Sequence, residues 1–220
     1  MTTSYSASEQ AFPLSSRQHW DAIYQNAAIE KLGWHEETPQ PSLGLIHECQ
    51  LPKNACILNA GAGTTTLLDA LLAEGYGNLV ATDISEVALE KLRERTGAAA
   101  AGNVRWITDD LTCASKLPSL EPLDLWHDRA VLHFFTKEKE QRAYFDLVKK
   151  LARPGGFVII AAFNLQGAKT CSGLPVKNYD AGMIAEKLGG DFSLLKSFDY
   201  MYEMPSGGVR PYIYTLFKRN

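Results

Sequence analysis

The strongest constraint on how this chain can fold is an alternation between residues 55 and 163. Short apolar runs take turns with segments that carry a helical apolar stripe. ACILN (55–59), NLVATD (78–83), NVRWIT (103–108), LDLWH (123–127) and FVIIAAF (157–163) read as strands. Such near-continuous apolar runs suit strands covered on both faces, as in a parallel sheet. Between them, TTTLLDALLAEG (64–75) places Leu67, Leu68, Leu71 and Leu72 at helical spacing. Ser85 is a fitting N-cap for a helix to about Thr96, with Gly97 as its stop. Thr136 is expected to cap a helix bearing Tyr144, Leu147, Val148 and Leu151, which Pro154-Gly155-Gly156 ends. Asp180 starts a further helix that Gly189-Gly190 stops, and residues 192–204 and 209–218 flank Pro205-Ser206-Gly207-Gly208 as a hairpin. The expected fold is α/β: a doubly wound, mostly parallel seven-stranded sheet with a terminal antiparallel hairpin.

Ahead of the alternation, residues 17–28 and 43–49 read as two helices joined by a proline-containing loop, an N-terminal helical cap. One domain is expected, divided into the cap (1–52), a core (53–163), a loop (164–180) and a closing helix with hairpin (181–220). A chain of 220 residues with 45% hydrophobic content can build its core without disulfides or a structural metal. The formal charge of -3 lacks the basic excess of a nucleic-acid binder. No run of 18 apolar residues exists to span a membrane, and MTTSYSASEQAF has no apolar centre to act as a leader. Residues 1–12 are expected to fray or to order only around ligand. Cys49, Cys56, Cys113 and Cys171 stand far apart and form no CxxC, so free thiols in a reducing cytoplasm are expected, with no metal site.

Chemistry enters at the strand ends, where sheets of this kind bind ligands. The first strand runs into Gly61-Ala62-Gly63 and then a helix. Glycines there allow a sharp turn and close approach of a ligand, and the following helix N-terminus favours negative charge. Asp83 ends the second strand, 20 residues after Gly63, where a carboxylate can accept from both hydroxyls of a ribose. Asp83 can equally serve only as a helix-start residue. Asp109-Asp110 ends the third strand, and Asp110 is the better placed of the two to meet an adenine edge. A dinucleotide site asks for glycine three residues after Gly63, where this chain has Thr66.

ILNAGAG, ATDIS, WITDDL, DLWHDRAVLHFF and RPGGFVIIAAF follow one another in the order and spacing of class I S-adenosylmethionine (SAM) dependent methyltransferases, which this chain resembles from about 55 to 163. The resemblance implies SAM as cofactor and S-adenosylhomocysteine as product. It places Gly61 and Gly63 along the methionine portion, Asp83 at the ribose, and Asp110 and Leu111 at the adenine, with Asn59, Ala62, Ile84 and His127 also among the cofactor-binding residues. The family usually has an acidic residue where this chain has Asn59, and often a third glycine where it has Thr65.

On the acceptor side, HDRAVLHFF resembles the Asp-Arg-Gly-Ala pattern of thiopurine and related thiol methyltransferases. That implies a small-molecule acceptor with a soft nucleophile, a thiol or related chalcogen. Asp128 is expected to orient cofactor or substrate, Arg129 to face an anionic acceptor and His133 to act as a base. Arg129 can instead be a salt bridge of the fold, and His133 a packed side chain. Residues 164–180 read as a substrate lid carrying Cys171. Trp20, Tyr24 and Trp34 are expected to cap the sulfonium or to be core aromatics. A protein lysine methyltransferase and a non-catalytic SAM-binding protein are the alternatives. A monomer or weak homodimer is expected, with neither nucleic acid nor membrane as partner.

Overall fold

A computed structural model describes residues 15–220, so the expectation for residues 1–12 lies outside it. Its centre is a sheet of seven strands in the order β3-β2-β1-β4-β5-β9-β8. The parallel strands are β1 (Ile57–Ala60), β2 (Leu79–Asp83), β3 (Val104–Thr108), β4 (Leu123–Arg129) and β5 (Ala152–Phe163). Residues 164–180 contain a small separate hairpin of β6 (Thr170–Cys171) and β7 (Leu174–Pro175). The last two strands are β8 (Phe192–Glu203) and β9 (Val209–Arg219); β9 inserts antiparallel between β5 and β8. Ile57 pairs with Leu79 on one side and Leu125 on the other, so the winding direction reverses beside β1. That is where a ligand crevice opens in such a sheet.

Alternation along the strands divides the core. Ile57, Leu79, Leu125 and Ile159 face one side, against Leu67, Leu68 and Leu71 of α3 (Leu67–Ala73) and Leu89 and Leu92 of α4 (Glu86–Thr96). Leu58, Val80, Trp126, Val158 and Ile160 face the other, against α5 (Glu138–Leu151) and α6 (Ala181–Leu188). Tyr144, Val148 and Leu151 of α5 are fully or almost fully buried, and an apolar side chain of that size contributes roughly 1.5–3 kcal/mol when removed from water. The helical cap is α1 (Ser16–Asn26) and α2 (Gln40–Glu48). No helix among the described residues is long and apolar enough to cross a membrane.

Three boundaries differ from the sequence reading. The helix after the glycine turn starts at Leu67, because Thr66 turns its hydroxyl to the Glu36 carbonyl at 2.9 Å and Thr65 Oγ1 accepts from the Leu67 N–H. Helix α5 is entered at Lys137 rather than Thr136: the Glu140 carboxylate accepts from the Lys137 N–H at 3.2 Å. Pro154-Gly155-Gly156 does not separate helix from strand. It lies within β5 as an irregularity, where the partners of Leu123 and Leu125 step from Ala152 to Phe157.

Candidate active site

The turn after β1 is held open by two left-handed glycines, Gly61 at φ +57° and Gly63 at φ +52°. A Cβ on Gly61 would collide with Val131 Cγ2, and one on Gly63 with the Tyr24 hydroxyl. The turn is tied to the end of β2: the Gly63 N–H donates to Asp83 Oδ2 at 2.8 Å, and the Ser85 N–H to Oδ1 at 2.8 Å. Burial pushes the Asp83 carboxyl up to about 6, against the pull of those backbone donors. The Ile84 N–H adds a third donor, and the carboxylate lines a cavity.

At the end of β3 the two aspartates divide their work. Asp109 is buried and gathers the N–H groups of Asp110, Ser115, Lys116 and Leu117, so it shapes the loop. Burial raises its pKa, but those donors together hold it below the usual carboxylate range. Asp110 uses Oδ1 on the Thr112 N–H and hydroxyl, and its carboxylate also takes the Cys113 thiol.

At the end of β4, Arg129 donates from Nε to the Tyr214 hydroxyl at 3.1 Å and from Nη1 to the Trp34 carbonyl at 2.9 Å. Nη2 makes an ion pair with Glu36 at 3.0 Å, both side chains being 10% exposed. The guanidinium also lies over the rings of Tyr202 and Tyr212. Arg129 is thus a salt bridge of the fold, one of its two expected readings, and it also lines both cavities described next.

Two adjacent cavities share Tyr24, Trp34, Gly61 and Arg129. The larger, about 190 Å³, runs from Asp83, Ile84, Asp110 and Leu111 to Arg129, Cys171 and Tyr212. Trp20 stands between Trp34 and Phe134, with ring centroids 5.7 and 4.9 Å away, and all three rings wall this cavity. The smaller, about 50 Å³, is lined by Asn59, Ala62, Gly63, His127 and Glu36 among others. His127 is buried and touches Asn59 Oδ1 at 3.1 Å and Ser42 Oγ at 2.9 Å.

Two expected catalytic residues reach neither cavity. Asp128 is fully buried, its carboxylate accepting from the N–H groups of Val131 and Leu132 and from the Tyr144 hydroxyl at 2.6 Å. It holds the turn after β4 instead of touching a ligand. His133 is also fully buried, stacked on Phe163 with centroids 4.2 Å apart. Burial, aided by the charges of Arg129 and Arg210, pushes it down to about 3, so it stays neutral and is not a base for the site. The sequence reading missed Glu36, Val131, Phe134 and Tyr212. Of these, only the placement of Val131 and Phe134 just past the fourth strand was a usable signal.

The residues present fit a SAM-type cofactor: Gly61, Asp83 and Asp110, from three neighbouring strand ends, line one cavity, and the two carboxylates bring acceptor oxygens to it. Residues 58–158 match a family profile described as a methyltransferase domain. Over 164 residues the chain is 23% identical to EEF1A lysine methyltransferase 2 of Danio rerio, covering 69% of this chain and 70% of that protein. The solved SAM-dependent methyltransferase from Anabaena variabilis superposes with a TM-score of 0.74 at 15% identity, over 93% of both chains. A structure from work on the conversion of a disulfide bond into a thioacetal group during echinomycin biosynthesis superposes at 0.73 with 18% identity, also over 93% of both. Residues 58–158 thus match a methyltransferase domain, and the chain adopts the fold of solved SAM-dependent methyltransferases.

Proposed function

We propose that the chain moves a methyl group from SAM to a small molecule whose nucleophile is soft, a thiol or related chalcogen. The observation that carries this reading is the make-up of the acceptor end of the larger cavity. Arg129, Cys171, Leu174, Phe134 and Tyr212 meet there without a histidine or an unpaired carboxylate among the described residues. An alcohol or ammonium acceptor needs a base to take its proton. A thiol ionises near neutral pH and asks mainly for placement and nearby positive charge, which Arg129 offers.

Bound SAM supplies an electrophilic methyl on a sulfonium. Asp83 takes the ribose hydroxyls, Ile84 and Leu111 bracket the adenine, and Asp110 Oδ2 takes its edge amine. Trp20, Tyr24, Trp34 and Phe134 exclude water and face the cation, an attraction worth roughly 0.5–2 kcal/mol. Residues 164–180 act as the lid over the acceptor, bringing Cys171 and Leu174 to it. The Asp128-Arg129-Ala130 segment is the counterpart of the thiol methyltransferase pattern, and the echinomycin protein is a precedent for sulfur chemistry on this fold. A second reading, transfer to a protein lysine, draws on the zebrafish relative and on the aromatic rings, which suit an ammonium as well as a sulfonium.

Calorimetry is expected to show micromolar binding of SAM and S-adenosylhomocysteine, with Asp83→Ala weakening it at least tenfold, about 1.4 kcal/mol. Absence of binding by the native protein would refute the cofactor assignment. Radiolabelled methyl is expected on members of a thiol panel; label appearing only in protein from a lysate would replace the small-molecule reading with the lysine one.

A further inference from the structure

Tyr212 brings to the larger cavity a polar atom that the fold leaves unused. The side chain, on β9, is 1% exposed. Its ring is fixed by Phe163 and Tyr202, with centroids 5.0 and 6.1 Å away, and by the Arg129 guanidinium over its face. Its hydroxyl makes no hydrogen bond among the described residues, yet it is not sealed in the core as that of Tyr179 is; it opens on the cavity. Burial holds the phenol well above its usual pKa, outweighing the pull of Arg129. The hydroxyl therefore keeps its proton and has it to donate. Buried donors are rarely left without a partner, so this one points to a ligand atom that accepts.

The charge around that donor is positive. Arg129 brings its own counter-ion, Glu36. Arg210 has none among the described residues: its Nη1 donates to Cys171 Sγ at 3.0 Å, and the guanidinium lies over the Phe163 ring. Cys171 is buried and lines the cavity, so Arg210 stands behind it. The groups that act most on the Tyr212 hydroxyl are Arg129, Cys171, Tyr214 and Arg210, and no carboxylate is among them. His133, with its ring 6.4 Å from that of Tyr212, is held neutral by burial. A protonated hydroxyl beside a cation without a counter-ion favours an anionic acceptor atom.

We propose that the Tyr212 hydroxyl grips the sulfur of the methyl acceptor as a thiolate, and that Arg210, behind Cys171, makes the site select thiols already ionised in solution. The inference rests on the acceptor reading above. The thiol proton passes to water before binding. The thiolate sulfur then bonds to the methyl carbon as the bond from that carbon to the sulfonium breaks, and the electron pair of the broken bond stays on the sulfur of S-adenosylhomocysteine. No base takes part. The hydrogen bond from Tyr212 weakens as the acceptor becomes a neutral thioether, which favours release.

Calorimetry on the protein loaded with S-adenosylhomocysteine tests this with thiophenol, which ionises near neutral pH, with its methyl thioether thioanisole, and with benzoate. At pH 8 the native protein is expected to prefer thiophenol over thioanisole by about tenfold or more, as one hydrogen bond to a charged group supplies. The preference is expected to fall by about tenfold per pH unit below the pKa of the thiol. Thioanisole cannot ionise, so it carries whatever the protein's own titrations contribute. Tyr212→Phe is expected to lose the preference while holding thioanisole within about threefold of native. Arg210→Gln is expected to lower the preference and Arg210→Lys to restore it. A preference that survives in Tyr212→Phe, or that is flat from pH 5 to 8 in the native protein, overturns the proposal and leaves the thiol reading standing. Benzoate bound more tightly than thiophenol at pH 8, and weakened by Tyr212→Phe, also overturns it, by giving the donor to a carboxylate. Native protein that holds S-adenosylhomocysteine but neither thiophenol nor thioanisole overturns the thiol reading, and this inference with it.

Discussion

Ala130 follows Arg129 with a left-handed backbone, φ +69°, although it carries a side chain. Its N–H is fixed to the Ala161 carbonyl at 2.8 Å, so the strand pairing dictates the conformation. An L-residue in that region costs about 1–2 kcal/mol, and replacing it with glycine returns about 0.5–1 kcal/mol of unfolded-chain entropy. Ala130→Gly is therefore expected to raise stability by about 0.5–1 kcal/mol, read as a higher urea midpoint at unchanged slope; a lower midpoint would show that the alanine methyl packs usefully. At this scale strand-end position and residue chemistry together led to Gly61, Asp83 and Asp110, which line the larger cavity. Glu36 and Tyr212 were not readable, because a loop of the cap and the last strand of the chain reach the site only through tertiary packing. Asp128 and His133 illustrate the opposite error. Their types suit catalysis, but burial, which one sequence does not reveal, has turned both into parts of the scaffold.

The turn from β4 into α5 is the element that sets the shape of the cavity floor. Asp128 receives three donors there, from Val131 N, Leu132 N and Tyr144 Oη, and Val131 in turn packs onto the bare face of Gly61. An asparagine has a single acceptor oxygen and brings two donors toward groups that also donate. Asp128→Asn is expected to cost about 1–3 kcal/mol in urea unfolding, and to weaken S-adenosylhomocysteine binding by less than Asp83→Ala does. A larger binding loss than that of Asp83→Ala would mean that Asp128 meets the ligand directly. The elements themselves were legible from apolar periodicity and caps: Ser85 and Asp180 each accept the N–H expected of an N-cap. Proline and glycine misled at Pro154-Gly155-Gly156. The sheet absorbs that stretch as an irregular pairing instead of ending there, since β4 supplies partners on both sides of it.

Across the whole molecule, buried titratable groups oppose one another in their response to pH. His127 and His133 are pushed down to about 3, chiefly by burial. Unfolded histidine binds its proton near pH 6.5, so each contributes fully above that pH and loses its contribution as the pH falls toward 3. Asp83 and Asp128 are pushed up to about 6 and 7, again chiefly by burial. The folded chain then holds protons that the unfolded chain has released, and stability from this source declines as the pH rises from about 4 to 7. Because the two contributions have opposite slopes between pH 4 and 6.5, the native protein is expected to vary little there and to fall steeply below pH 4. Replacing one histidine separates them. His133 is the suitable one, since its Nε2 has no partner among the described residues, its Nδ1 takes only a long bond from the Phe163 N–H at 3.4 Å, and its ring stacks on Phe163 as a phenylalanine can. Taking the protein from pH 7 to pH 5 withdraws about 2 kcal/mol through each histidine. His133→Phe is therefore expected to be about 2 kcal/mol more stable at pH 5, relative to pH 7, than the native chain is. Equal losses in the two proteins, measured by urea unfolding at both pH values, would show that His133 is not held neutral and that its pocket admits water.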